Sequence, residues 1–214
     1  MLLKARDENA EIIEEVLARL RNREQVEKVP AETFIRQYYS QVDPEDLVER
    51  TISNLCGAAL AHLGFMKEFK SGAPKLRAYN PKNLKDGWDS PHTVIEIVND
   101  DMPFLVDSVT MEVNRHGLTL HLIMHPIIAV KRSADGTLVD LAADDDKDAR
   151  HESFIRVEVD RIIEPARLEA LAADLARVLD DVRMAVADWK AMRDRLLADY
   201  FQQFGGLGNL PPSG

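Results

Sequence analysis

The order of predicted strands and helices between residues 92 and 161 constrains the fold of this chain more than any other feature. Three stretches, His92–Val98, Leu118–Lys131 and Ser153–Arg161, are rich in β-branched and apolar residues and predict strands. Between the first two, Pro103–His116 carries apolar residues at helical spacing and predicts a helix. Two parallel strands joined by such a helix form a right-handed crossover unit. We therefore expect helices and strands to share a domain built on a sheet.

A long apolar stripe follows the last predicted strand. Its members step by alternating threes and fours: Leu168, Leu171, Leu175, Val178, Val182, Ala185, Trp189, Met192 and Leu196. A helix from Pro165 to Asp199 would be about 50 Å long, roughly twice the diameter of a domain of this size. We therefore expect this helix to extend beyond its own sheet and to present apolar residues to other domains or subunits.

The N-terminal part of the chain predicts helices. Apolar residues recur at helical spacing in two places: Ile12, Ile13, Val16, Leu17 and Leu20, and then Phe34, Ile35, Tyr38 and Tyr39. A third helix is predicted from a cap at Asp43, with Pro44 at its first position, to an end at Gly64. Glycine and proline then interrupt the pattern and leave only a short strand at Leu76–Tyr79 before the first long strand.

Composition excludes several classes of function. The 214 residues carry a formal net charge of −10, so the surface lacks the positive field that binds nucleic acid or an anionic membrane. Cys56 is the single cysteine, which excludes an internal disulfide and predicts a reducing, cytoplasmic location. The longest nearly apolar stretch is interrupted by His121 and His125, so no membrane span is expected.

Residues Asn99, Asp100, Asp101, Met102, Pro103 and Phe104 lie where the first long strand gives way to its helix. One interpretation is a helix cap, with Pro103 in the first turn and the acidic side chains facing the positive end of the helix. The other is a ligand site, because α/β folds often bind ligands at this kind of junction. Its carboxylates would repel a phosphate and would suit an amino group or the amide edge of a partner strand.

Other candidate side chains favour structural roles. His121 and His125 are predicted on a strand, where four residues span about 13 Å, too far for both to hold one metal ion. Asp144, Asp146 and Asp148 match the first ligands of a calcium loop, but the later glycine and glutamate are missing. Cys56 is expected in the core, His116 at a helix C-terminus, and Glu96 and Glu158 facing solvent. The sequence thus predicts no catalytic residue and no metal site.

Several phrases taken together resemble a known family. They are Val98–Val109, Glu112–Thr119, His125–Pro126, Glu152–Phe154 and Val157–Glu158. They are similar to the N-terminal region of the large, multidomain NAD-specific glutamate dehydrogenases of bacteria. The resemblance implies an α+β fold, a ferredoxin-like or ACT-like βαββαβ sandwich. The chain departs from that pattern because no fourth strand follows the second helix, and Leu76–Tyr79 is the candidate to fill its place.

The resemblance also sets the expected organisation. We expect an N-terminal helical subdomain over residues 1–69, an ACT-like domain over 70–164, a long helix over 165–200 that leads toward the next domain, and a flexible tail over 201–214. The parent reaction would be oxidative deamination of L-glutamate to 2-oxoglutarate with NAD. No nucleotide-binding glycine loop or catalytic lysine motif is recognisable here, so this part would bind no cofactor and would not catalyse that reaction alone.

Two functions remain open at this point. The first is a noncatalytic regulatory or oligomerisation region, with partners among downstream domains or other copies of the chain, through the sheet edge or the Leu168–Leu196 helix. The second is a sensor whose Asn99–Phe104 loop binds an amino acid and thereby controls activity or assembly.

Overall fold

The computed structural model describes residues 2–23, 28–143 and 145–204. Its helices are α1 (Leu2–Arg21), α2 (Lys28–Tyr39), α3 (Pro44–Val48), α4 (Ile52–Met66), α5 (Asn83–Asp86), α6 (Leu105–Arg115) and α7 (Pro165–Phe204). Its strands are β1 (Lys75–Tyr79), β2 (Thr93–Asp100), β3 (Leu120–Met124), β4 (Ile127–Arg132), β5 (Leu138–Leu141) and β6 (Arg150–Val159). None of the helices in this described part is long and apolar enough to cross a membrane.

The strands form one antiparallel sheet in the order β1-β2-β6-β4-β5, and β3 also pairs with β6. Because β2 and β3 are both antiparallel to β6, they run parallel to each other with β6 between them. The helix that joins them is α6, so the predicted crossover is present. Two helices, α6 and α7, pack together on one face of this sheet, and the fold class is the expected α+β, ACT-like sandwich.

The edge strand of the sheet comes from the N-terminal side of the chain. β1 pairs antiparallel with β2, from Lys75 opposite Val98 to Tyr79 opposite Val94. A βαββαβ sandwich places its last strand in this position, after the second helix. In this chain β1 takes that place, as the sequence suggested, and α7 continues as a helix instead of turning back.

The predicted single helix from Asp43 to Gly64 is wrong. Asp43 caps α3 as expected, accepting a hydrogen bond from the Glu45 N–H at 3.0 Å, but α3 ends at Val48. Thr51 then adopts an extended conformation and caps α4 by accepting a hydrogen bond from the Asn54 N–H at 3.2 Å. The sequence thus contains a second cap inside the apolar pattern, and the break between the helices follows from it.

The predicted strand from Leu118 to Lys131 is two strands. The chain breaks at His125 and Pro126, because proline has no N–H to donate to a neighbouring strand. Both halves still pair with β6, β3 along its C-terminal half and β4 along its N-terminal half. The Pro126 carbonyl accepts a hydrogen bond from the Phe154 N–H at 2.9 Å, which holds the break against β6.

Helices cover both faces of the sheet. Side chains on one face pack with α6 and α7, among them Ile95, Ile97 and Val157. Side chains on the other face pack with the N-terminal helices, among them Val98 and Phe154. The predicted division at residue 69 stays a prediction, but the N-terminal helices share one apolar core with the sheet.

The C-terminal helix is longer than predicted and extends past the sheet. It ends at Phe204, and Val186 is the last buried residue among those whose burial is described. All side chains described between Ala187 and Tyr200 are exposed. Three of them, Trp189, Met192 and Leu196, continue the predicted apolar stripe, of which Leu171 and Leu175 are buried nearer the start of the helix. We call these three residues the distal stripe. The rest of the predicted tail, residues 205–214, lies outside the described residues.

Candidate functional site

The junction between β2 and α6 does not have the predicted cap. Asn99 and Asp100 are still part of β2, and α6 begins only at Leu105. The N-cap residue is Phe104, which makes no capping hydrogen bond and has a φ of 72° in the left-handed region. Pro103 therefore precedes the helix rather than lying in its first turn. A left-handed conformation at a bulky residue is uncommon and costs about 1–3 kcal/mol, so the surrounding contacts must hold it.

The acidic side chains of this junction bind other parts of the fold. Asp100 Oδ2 accepts hydrogen bonds from Arg183 Nη1 of α7 at 2.6 Å and from the Gly72 N–H at 3.0 Å. Asn99 Oδ1 accepts one from Arg183 Nη2, and Asp101 Oδ1 accepts one from Ser153 Oγ at 2.9 Å. Burial would raise the pKa of Asp100, but its hydrogen bonds, first that from Arg183, lower the pKa below its usual value.

Arg183 was not recognised in the sequence, because nothing in the spacing along α7 marks it as the partner of β2. Its Nε and the Asn99 Nδ2 are buried without a hydrogen-bond partner in the part of the chain that the structure describes. The side chain of Phe104, five residues after Asn99, is 66% exposed. The junction therefore offers two unused N–H donors and an exposed aromatic ring, next to carboxylates that are already paired.

The histidines have separate structural partners. His121 Nε2 lies 2.8 Å from Asp160 Oδ1, and its ring stacks on His92 with the ring centroids 4.1 Å apart. His125 Nε2 lies 2.7 Å from Ser153 Oγ. His121 lies on β3 as predicted, but His125 lies in the break between β3 and β4, and the structure brings the two rings to different neighbours.

One group of side chains has the composition of a metal site. Ligand atoms of Glu112, His116 and Asp174 lie within 4.8 Å of one another where α6 meets α7. Arg115 already occupies these carboxylates, at 2.5 Å from Glu112 Oε1 and 2.7 Å from Asp174 Oδ2. Its hydrogen bond lowers the pKa of Glu112. With a guanidinium between the carboxylates, the group is better described as an ion-pair cluster that joins the two helices.

The prediction that Glu96 and Glu158 face solvent is wrong. Both are buried, with exposed fractions of 0% and 3%. Their alternation with apolar residues is typical of a half-exposed strand, but the N-terminal helices cover the face on which they lie. Burying a charge is costly unless it is paired, and both carboxylates are paired.

The pairing forms a continuous chain across three strands and a loop. Arg77 contacts Glu96 at 2.6 Å, Arg156 lies 3.6 Å from Glu96 and 2.8 Å from Glu158, and Arg50 contacts Glu158 at 3.0 Å. We call these five residues the buried ion chain. Arg77, Glu96 and Arg156 are directly opposite one another in β1, β2 and β6. Residues of opposite charge at paired positions of neighbouring strands could have indicated these ion pairs. The pairing is known only once the register of the strands is known.

The pKa values of the buried ion chain and its neighbours reflect this environment. Burial would raise the pKa of Glu158, but Arg156 and Arg50 together lower the pKa. Burial, assisted by the positive charges of Arg156 and Arg77, lowers the pKa of His62 to about 4. The His62 Nδ1 lies 2.9 Å from the Tyr38 hydroxyl. His62 is therefore neutral at pH 7, and the carboxylate of Glu158 is ionised.

A cavity of about 290 Å³ adjoins the buried ion chain between the sheet and α4. Its lining includes Arg156, Glu158, Arg50 and Trp88. The Trp88 ring lies over the Arg156 guanidinium, 4.6 Å from ring centroid to Cζ, which is a favourable cation–π distance. The charged groups on this side of the cavity are thus paired with one another, with Glu158 between Arg156 and Arg50.

The other candidates of the sequence have ordinary surroundings. Cys56 is buried, and burial raises the pKa of its thiol, so it is a poor nucleophile. Asp146 pairs with Lys131 at 2.6 Å. Asp144 lies outside the described residues.

Sheet order, crossover helix and second helix define the class of protein as an ACT-like α+β domain, here with a helical layer on the second face of its sheet. The chain belongs to a family with this class of domain, described as "Glutamate dehydrogenase, ACT1 domain", whose profile matches residues 34–175. This agrees with the resemblance that the sequence motifs carry.

Two relatives of this chain are both named NAD-specific glutamate dehydrogenase. An NAD-specific glutamate dehydrogenase of Halomonas elongata is 40% identical over 197 residues, which cover 90% of this chain and 12% of that protein. The NAD-specific glutamate dehydrogenase of Pseudomonas aeruginosa is 37% identical over 162 residues, which cover 75% of this chain and 10% of that protein. The chain thus spans about a tenth of the length of these curated relatives.

Proposed function

We propose that this chain is a noncatalytic assembly and regulatory region of a large NAD-dependent glutamate dehydrogenase. The parent enzyme would oxidatively deaminate L-glutamate to 2-oxoglutarate, and NAD would bind elsewhere in it. The names of the two relatives support the parent activity. The predicted location in the cytoplasm is part of the same proposal.

The observation that carries the assembly role is the distal stripe of α7. Trp189, Met192 and Leu196 are 54%, 61% and 68% exposed, although Leu171 and Leu175 of the same stripe are buried earlier in the helix. A large apolar side chain in water forgoes about 1.5–3 kcal/mol of burial energy, so a continuous row of them indicates a contact surface. We propose that the distal stripe packs against another domain or subunit of the parent enzyme.

The test compares two double variants of α7 in the parent enzyme and in this chain. Met192→Glu with Leu196→Glu places charges on the distal stripe, and Ala191→Glu with Ala198→Glu places the same charges on the opposite, exposed face. We expect only the stripe variant to reduce the mass measured by light scattering or the activity of the parent enzyme. Equal behaviour of both variants and the unaltered protein would contradict the assembly role.

A second candidate function rests on the unused donors at the β2–α6 junction. Asn99 Nδ2 and Arg183 Nε are buried without partners among the described residues, and both would suit the carboxylate of an amino acid. An amino acid bound there would contact the Asn99–Phe104 segment and α7 together, and would thus link ligand binding to the position of that helix. Neighbouring Asp100 and Asp101 would attract its ammonium group.

The sensor role is tested by thermal unfolding across a panel of amino acids, 2-oxoglutarate and NAD. A ligand that binds the folded state raises the unfolding temperature, by mass action. We expect a response to an amino acid that Arg183→Gln abolishes and that Arg177→Gln, an exposed position on the same helix, leaves intact. No response to any amino acid would exclude the sensor.

A further inference from the structure

The cavity beside the buried ion chain is separate from the β2–α6 junction. It lies on the face of the sheet that the N-terminal helices cover, whereas α6 and α7 cover the other face. Its walls include apolar side chains from α3, α4 and β3, namely Leu47, Leu55, Ala58, Leu122 and Met124. Its volume is at the lower end of the range for ligand sites, so an occupant would have few non-hydrogen atoms.

The charge of the buried ion chain is unbalanced. Its three guanidinium groups, Arg77, Arg156 and Arg50, face two carboxylates, Glu96 and Glu158, which leaves one positive charge in excess. Two of the three guanidinium groups, those of Arg156 and Arg50, line the cavity together with only one of the carboxylates, that of Glu158. Arg156 is 3% exposed, and its Nη1, which lies 3.6 Å from Glu96 Oε1, makes no hydrogen bond among the described residues. A buried guanidinium N–H without an acceptor is costly, so an acceptor in the cavity would be strongly favoured.

A second feature also favours an anion. The N-terminus of α4, a helix of 15 residues, meets the cavity at Thr51 and Asn54. The partial positive charge at a helix N-terminus stabilises a nearby carboxylate.

Two acidic residues, Glu49 and Asp89, are exposed at the rim, and Asp89 accepts a hydrogen bond from Asn54 at 3.1 Å.

We propose that this cavity binds a small organic monocarboxylate, whose carboxylate pairs with Arg156 and Arg50 and whose short apolar body contacts the leucine and methionine walls. A single negative charge balances the excess of one, whereas a phosphate dianion would be repelled by Glu158 and by the acidic rim. A cation would face Arg156 and Arg50. The site is independent of the assembly role proposed for α7.

Trp88 makes a direct test possible. The chain contains two tryptophans, and Trp189→Phe on exposed α7 leaves Trp88 as the only one. Fluorescence of this variant is titrated with butyrate and, separately, with butyramide, which has the same shape without the charge, at constant ionic strength. We expect a saturable change with butyrate and at least a tenfold weaker response to butyramide. Equal responses, or no Trp88 response to butyrate, would overturn the proposal.

Two further substitutions in the Trp189→Phe background test where the carboxylate of butyrate binds. Arg50→Gln removes a half-buried guanidinium at the cavity, and Arg36→Gln makes the same change in an exposed ion pair with Glu14 on the surface. We expect Arg50→Gln to weaken butyrate binding at least tenfold and Arg36→Gln to leave it unchanged. Equal affinities of these two variants would overturn the assigned site. If Arg50→Gln does not fold, the comparison of butyrate with butyramide still decides.

Discussion

The ion pair between Arg132 and Glu152 allows a quantitative test of the buried, charged face of the sheet. Glu152 accepts hydrogen bonds from Arg132 Nε at 2.8 Å and from Nη2 at 2.7 Å, and the two side chains are 2% and 0% exposed. Arg132 Nη1 also donates to the carbonyls of Met66 and Gly136, each at 3.0 Å. This geometry joins β4 and β6 to the end of α4 and to the turn before β5.

Glu152→Gln removes the charge that balances Arg132 and keeps nearly the same shape. Removing one partner of a buried pair costs about 3–5 kcal/mol, because the remaining charge is desolvated and uncompensated. For a chain of this size that loss corresponds to a fall in unfolding temperature of about 6–20 °C. Replacing both partners with methionine should be much less destabilising, since no charge is then left buried.

The assay is urea unfolding at neutral pH followed by circular dichroism, with Glu14→Gln as the matched control. Glu14 pairs with Arg36 at 2.7 Å, but both side chains are about half exposed, so this substitution should cost about 0–1 kcal/mol. Equal losses for Glu152→Gln and Glu14→Gln would refute the conclusion that the N-terminal helices bury this face.

Three further predictions concern single positions. Gly57→Ala should reduce the free energy of unfolding by about 1–3 kcal/mol, because a Cβ there would lie 2.5 Å from Trp88 Cβ. Urea unfolding measures this loss, and an unchanged midpoint would contradict the prediction. His62 has a folded pKa of about 4, so the unfolded state binds more protons and stability should fall as pH decreases from about 6.5 to 4, by roughly 3 kcal/mol in total. His62→Gln should flatten that part of the stability–pH curve, and an unaltered slope would argue against the burial of this ring. Asp100→Ala should reduce the free energy of unfolding by about 1–2 kcal/mol, because Arg183 of α7 loses its partner. Thermal unfolding measures this loss, and an unchanged unfolding temperature would show that the contact does not stabilise the packing of α7.

The sequence predicted the elements whose periodicity is strong. The crossover helix, the strands around it and the long C-terminal helix follow from apolar spacing, which reflects burial against a neighbour. The errors lie where a local signal interrupts a long apolar pattern. α3 ends at Val48 and Thr51 caps a new helix, and Pro126 divides one strand into two. Both residues were visible in the sequence, but their effect depends on whether neighbouring elements support the break.

The errors at the candidate site have a different cause. Glu96 and Glu158 alternate with apolar residues as solvent-facing residues do, and the pattern of one strand does not reveal that helices from elsewhere in the chain cover that face. The same holds for Arg183, which lies 83 residues from Asp100 and meets it only through the packing of α7 on the sheet. Charged residues on a strand are therefore ambiguous until the layers of the fold are known.

The permuted edge of the sheet explains why α7 is free to extend. In a βαββαβ sandwich the chain must turn back after its second helix, because its last strand pairs beside the first, and this limits the helix to the length of the sheet. Here β1 already pairs with β2 at that edge, so the chain after Val186 has no strand to form. The helix can then continue to Phe204, a total of 40 residues or about 60 Å. Because the N-terminal side of the chain supplies the edge strand, the second helix of the sandwich can extend past the sheet and expose the distal stripe.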